Sequence, residues 1–112
     1  MRRTFAVIAL AAAPVLAVNL TDDAPLAHFK GKDRETFDMV LYAVLDDGKP
    51  GTTRTWSNPE TKAAGEVKAV KSFTRGESVC RTVHVSNRAG GRTSSANYNF
   101  CKSAQGKWVL AQ

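Results

Sequence analysis

Two cysteines and a glycine pair set the strongest constraint on this chain. Cys80 and Cys101 flank Asn87-Arg88-Ala89-Gly90-Gly91, which reads as a turn between two runs, Ser78 to Ser86 and Arg92 to Cys101, that are rich in Val, Thr, Tyr and Phe. Such runs around a glycine turn are a β-hairpin signal. With the turn centred between Gly90 and Gly91, Cys80 falls opposite Cys101, Val83 opposite Tyr98 and Val85 opposite Ala96. The same register gathers Val79, Val83, Val85, Ala96, Tyr98 and Phe100 on an apolar face. Thr82, His84, Asn97 and Asn99 share the other face with both cysteines. Side-chain alternation and a cross-link therefore ask for one and the same pairing.

The N-terminus bears on the redox state of those cysteines. Met1-Arg2-Arg3 leads into an apolar run from Phe5 to Val18, interrupted at Pro14, which has the form of an export signal with cleavage expected after Ala17. Arg2-Arg3-Thr4-Phe5 also touches the twin-arginine pattern. The run is roughly 14 residues, short of the ~20 that a spanning helix needs, and no later segment is apolar enough to span. With no cysteine near the cut, no lipid anchor is expected. Export delivers the chain to an oxidising compartment, where Cys80 and Cys101 are expected to form a disulfide. Closing a loop of about 20 residues stabilises a fold by on the order of 3 kcal/mol. That matters in a domain that buries only about 60 to 65% of its unfolded surface.

Residues 18–32, with Pro25 and Gly31, read as a mobile leader, and 33–112 as one domain. Phe37, Val40, Leu41, Val44 and Leu45 recur at helical spacing, so an amphipathic helix is expected over Asp33 to Asp46, with Asp33 as N-cap and Gly48 and Pro50 ending it. Thr53 to Asn58, Glu66 to Phe73 and Lys107 to Ala111 supply further strands. Short connections favour an antiparallel meander. The expected class is α+β: one N-terminal amphipathic helix packed on an antiparallel sheet of about five short strands, stapled by one disulfide.

Charge is divided along the chain. Val18 to Asp47 carries 7 acids and 3 bases, whereas Gly48 to Gln112 carries 3 acids and 11 bases. A basic sheet follows an acidic helical segment. Candidate binding residues are Arg54, Lys68, Lys71, Arg75, Arg88, Arg92 and Lys107; Arg81 points to the apolar face, where it needs an acidic partner or a route to the edge. Such a surface suits an anionic envelope component or an acidic envelope protein. Nucleic acid is not expected, because export removes the chain from it and no aromatic-interleaved basic motif is present.

Chemistry-bearing patterns are missing. The histidines, His28 and His84, belong to no H-E-x-x-H, no cysteine pair has zinc spacing, and no glycine-rich phosphate loop occurs. No serine lies in a G-x-S-x-G, and Glu60, Glu66 and Glu77 sit at turns or strand ends. No catalytic residue, metal or cofactor is expected.

Trp56 lies in Trp56-Ser57-Asn58-Pro59, with Gly65 and Val67 following, and Trp108 closes Gly106-Lys107-Trp108. Each tryptophan can cover core beside an amphipathic sheet. Together with Cys80-Arg81 and Cys101, this ordered set resembles the C-terminal domain of the rickettsial-type seventeen-kilodalton surface antigen family over about Asp33 to Gln112. The resemblance implies an outer-membrane or surface-associated bacterial protein without known enzymatic activity. The chain departs from it in lacking the lipobox cysteine and the glycine-rich N-terminal half, in carrying Lys62-Ala63 where a glycine is often seen, and in Lys102 where Arg is usual. A non-catalytic, periplasmic, outer-membrane-associated or secreted protein is the expectation. The alternative is an inhibitor or immunity protein acting on an envelope hydrolase, with Asn87 to Thr93 as its plug.

Overall fold

The computed structural model describes residues 24–111, so the expected export signal at 1–17 and the start of the leader lie outside the described residues. Helix α1 spans Asp33–Asp47, and five strands follow: β1 Thr53–Asn58, β2 Ala63–Arg75, β3 Ser78–Ala89, β4 Arg92–Lys102 and β5 Trp108–Ala111. The strands form one antiparallel sheet in the order of the sequence, a plain meander. The α+β class stands. No described helix is long and apolar enough to cross a membrane.

The hairpin has the expected register. Cys80 pairs with Cys101, Val83 with Tyr98, His84 with Asn97 and Val85 with Ala96. The sulfurs are bonded at 2.03 Å. Both turn glycines have positive φ, 58° at Gly90 and 76° at Gly91, which a two-residue hairpin turn demands and side chains resist. The segment Asn87 to Thr93 is thus strand on either side of a tight turn, and Asn87 itself is buried.

Helix α1 buries Phe37, Leu41, Val44 and Leu45, with Val40 half-buried beside them. It packs over β1 and β2, where Trp56, Ala63, Val67 and Ala69 meet it from the sheet. Gly48 ends the helix in the left-handed region, its N–H donating to the Val44 carbonyl at 3.0 Å. Asp33 is not the N-cap. Lys32 holds that position without a side-chain cap, and Asp33 is the first helical residue, drawn inward by other partners.

Several boundaries shift. Strand β2 runs to thirteen residues, longer than the expected Glu66 to Phe73, because β3 pairs with it from Ala64 to Arg75 while β1 pairs with its first half, and it absorbs an irregularity between Ala69 and Lys71. Strand β5 starts at Trp108, since Lys107 closes the preceding turn by accepting the Ser103 N–H. Val79 and Ala96 lie on the helix-side face but stay exposed, Val79 at 43%, because α1 does not reach those corners. Residues 24–32, expected to belong to a loose leader, carry a 3-10 turn at Pro25–His28 that packs on β3 and β4. Pro25 is buried, and Leu26 and Phe29 join the core. A helix one strand-pair wide leaves that part of the sheet bare, and this segment covers it.

Candidate functional site

On the helix side, residues of the Trp-x-Asn-Pro, Gly-x-Val, Cys-Arg and Gly-x-Trp motifs assemble three braces between α1 and the sheet. In the first, Trp56 lies at the centre of an aromatic trio, with ring centroids 5.3 Å from Phe29 and 6.2 Å from Phe37. Its indole Nε1 donates to Asn87 Oδ1 at 3.1 Å. Gly65 stands between them in register, paired to Trp56 on one side and Asn87 on the other. A Cβ there would overlap the Asn87 side chain, the Ser86 carbonyl and the Trp56 indole. Val67, next along the strand, is fully buried.

In the second brace, Asn58 and Pro59 turn the chain so that Lys62 N–H reaches the Asn58 carbonyl at 2.7 Å. The turn then presents Asn58 Nδ2 and the Thr61 hydroxyl to Asp33 Oδ1, each at 2.7 Å, while the Lys30 N–H donates to Oδ2 at 2.9 Å. Asp33 is fully buried in this socket. Burial pushes its pKa up, but the hydrogen bonds from Thr61, the Lys30 amide and Asn58 outweigh that and hold it below the ordinary 3.8. A carboxyl depressed in the folded state contributes stability that is present above the unfolded value and lost as pH falls through the folded one. Urea unfolding from about pH 6 down to about pH 2.5 should therefore show Asp33→Asn less stable than the parent at the top of the range, with the gap narrowing below about pH 4. A constant gap would mean that the carboxylate charge is immaterial.

The third brace answers the question of Arg81. Its Nε donates to the Leu45 carbonyl at 2.7 Å, near the helix C-terminus, and a second nitrogen donates to Ser72 Oγ at 2.6 Å. The guanidinium also lies 5.3 Å from the Trp108 ring centroid. The exposed carbonyls at a helix end carry partial negative charge, so they replace the acidic partner expected from the sequence. Gly48 is favoured by its φ of 68°, and a Cβ there would also push the Arg81 guanidinium out of its place against the helix end. Trp108 in turn donates Nε1 to Asp46 Oδ1 at 2.9 Å, and Gly106 shapes the turn before it with φ 79°. The bracing roles of Asp33, Asp46, Ser72 and Asn87 are not expected from the sequence, which offers Asp33 as a cap and Asn87 as part of the turn. Only their partners stood in recognisable motifs.

Among the described residues, no helix lies on the opposite face of the sheet. Its centre is a ladder of short polar side chains: Thr82 donates to Asn99 Oδ1 at 2.6 Å, Ser86 to Ser95 at 3.3 Å, and His84 bridges Asn97 and Ser95 at 2.6 Å each. Alternation places Lys68, Lys71, Arg75 and Arg88 on this face, with Glu66 its one carboxylate among the described strands. Lys71 and Arg75 flank the Phe73 ring, 5.9 and 5.8 Å from its centroid. Cys80 and Thr82 are buried even on this side. The remaining expected cations are elsewhere: Arg54 on β1 and Arg92 at the start of β4 fall on the helix-side face, and Lys107 lies in the β4–β5 turn. Among the described residues, no group of three His, Cys, Asp or Glu side chains could hold a metal ion.

The fold and its braces define a disulfide-stapled α+β domain whose distinctive residues hold a helix to one face of a meander and leave the other face open. The model of the 17 kDa outer membrane surface antigen family matches residues 43–109, and the chain belongs to that family. Every motif position from Trp56 to Trp108 lies inside the match. No curated protein and no solved structure matches the chain.

Proposed function

We propose that the protein is exported, is cleaved near Ala17, and acts without catalysis in the bacterial envelope by binding an anionic envelope component through the open sheet face. Lipopolysaccharide phosphates and anionic glycan polymers are the ligands of this chemistry. Membership of an outer membrane surface antigen family supports the envelope setting. The observation that carries the binding reading is the sorting of charge: among the described residues, Lys68, Lys71, Arg75 and Arg88 share a face that no helix covers and on which the strands place one carboxylate, Glu66, while Glu35, Asp38, Asp46 and Asp47 lie on the helix. The family's motif residues are occupied in holding the fold, which leaves this face available for contact.

Attraction of this kind weakens as the Debye length falls from about 30 Å at 0.01 M salt to about 8 Å at 0.15 M. The molecule is 20 Å through its thinnest dimension, so charges on the two faces act separately at the higher salt. Association with lipopolysaccharide and with isolated cell wall should fall with salt, and should fall further in Lys68→Glu/Lys71→Glu. The helix-side pair Arg54→Glu/Arg92→Glu should retain most of it. Binding that is indifferent to salt and to both pairs would overturn the reading. The mass of protein recovered from the periplasm tests the cleavage, for which a chain retaining Met1 is the contrary result.

A further inference from the structure

Among the described residues, the outer edge of β4 is open over most of its length. Strand β4 begins at Arg92, yet β5 pairs only with Asn99–Lys102. Among the described residues, no strand lies along Arg92 to Tyr98 on the side away from β3.

The direction of the backbone groups there follows from the two turns. The two-residue turn closes on the Ala89–Arg92 pair, and across the next turn the Ser103 N–H donates to the Lys107 carbonyl at 2.8 Å. In an antiparallel ladder, successive residues address opposite neighbours. Even-numbered residues of β4 thus turn their N–H and C=O to β3, and odd-numbered ones turn theirs outward. Asn99 and Cys101 meet β5. Thr93, Ser95 and Asn97 hold three donors and three acceptors along an edge beside which no described strand lies, and all three residues are exposed.

Proteins commonly protect such an edge with proline, an inward-pointing charge, a bulge or extreme shortness. Thr93 to Tyr98 has none of these: it contains no proline and no charged residue, and its pairing with β3 is unbroken. Its surroundings are selective. From Ser78 to Gln112 the sequence has no Asp or Glu, and Arg88, cross-strand from Thr93, and Arg92 stand at the turn end of the edge. On the helix side, exposed Ala96 and half-buried Tyr98 form an apolar ledge beside the turn Pro25–His28, which packs on β4.

We propose that this edge accepts an extended segment of another exported protein as an added strand, with apolar side chains at alternate positions over Ala96 and Tyr98 and acidic side chains at the end beside Arg88 and Arg92. Backbone hydrogen bonds supply the attachment, and alternate side chains supply the choice of segment. A second copy of this chain fits less well: pairing antiparallel about Ser95 sets Arg92 against a Tyr98, and the copy's own edge from Arg92 to Tyr98 carries no acidic side chain to offer. This surface is separate from the open face, and the proposal stands apart from polyanion binding.

The test titrates the isotope-labelled exported chain with a synthetic peptide of two aspartates followed by alternating valine and threonine. Amide exchange at Thr93, Ser95 and Asn97 should slow by about tenfold or more at saturation, as expected for amides gaining hydrogen bonds. A twin peptide N-methylated at alternate residues should have no such effect, and a twin with lysines for the aspartates should bind more weakly. Thr93→Pro removes one outward donor while leaving the ladder to β3, so it should weaken the parent peptide; its unfolding curve checks that it folds, and the methylated twin tests the same bond in the unaltered protein. Unchanged exchange overturns the proposal. So does exchange already slow in the free monomer, protection that rises with protein concentration alone, or equal protection by the methylated twin or by polyphosphate.

Discussion

Replacing Trp56 with alanine should lower stability by about 3 to 5 kcal/mol, the range for removing a large aromatic from a core. Trp56 is 5% exposed and joins three parts of the chain: Phe29 from the segment before the helix, Phe37 on α1, and Asn87 on β3. Alanine removes the ring that the two phenylalanines pack on, and it also strands the buried Asn87 oxygen. Trp56→Phe separates the two losses, since it keeps an aromatic ring and gives up the indole donor; about 1 to 3 kcal/mol is expected from the unpaired group. Urea unfolding of the three proteins measures both. A cost under about 1 kcal/mol for alanine would show that the segment 24–32 and α1 hold their places without this ring.

Breaking the disulfide should have an effect of similar size. Cys80→Ser should cost about 2 to 5 kcal/mol, because the unfolded chain regains the freedom that a bond across 21 residues denies it. The serine also sets a hydroxyl at a fully buried position. The double variant Cys80→Ala/Cys101→Ala removes that second contribution and the stray thiol. If the loss in the double variant approaches zero, the ladder between β3 and β4 holds the hairpin unaided. Free thiols in the oxidised, exported parent would contradict the cross-link itself.

Much of this architecture is legible in the sequence, for a local reason. The register of β3 on β4 follows from Gly90-Gly91, since a two-residue turn leaves no latitude in pairing and a slip of one residue would separate the cysteines and invert both faces. The helix is equally local, with an apolar stripe at helical spacing and a glycine stop. Arg81 marks the limit: alternation shows that it points inward, but its partner is a backbone carbonyl 36 residues away, a group every residue carries and no motif advertises. Asp33 fails in the same manner. An acidic residue at the head of a helix suggests a cap, whereas its actual partners arrive from the turn after β1, 25 and 28 residues on.

The sequence by itself determined the helix and five strands to within their ends, their antiparallel order, the hairpin register and the cross-link, because each depends on spacing between near neighbours. Only the tertiary structure decided how far across the apolar face α1 reaches, that the segment 24–32 packs beside it, and which edge of β4 stays unpaired among the described residues. Those are outcomes of packing: one helix and one short turn must share a single side of five strands, and where each sits depends on the joint fit of Trp56, Gly65, Asn87, Arg81 and Gly48. Each of these residues constrains its partners through volume and hydrogen-bond geometry in three dimensions, and no distance along the chain encodes that.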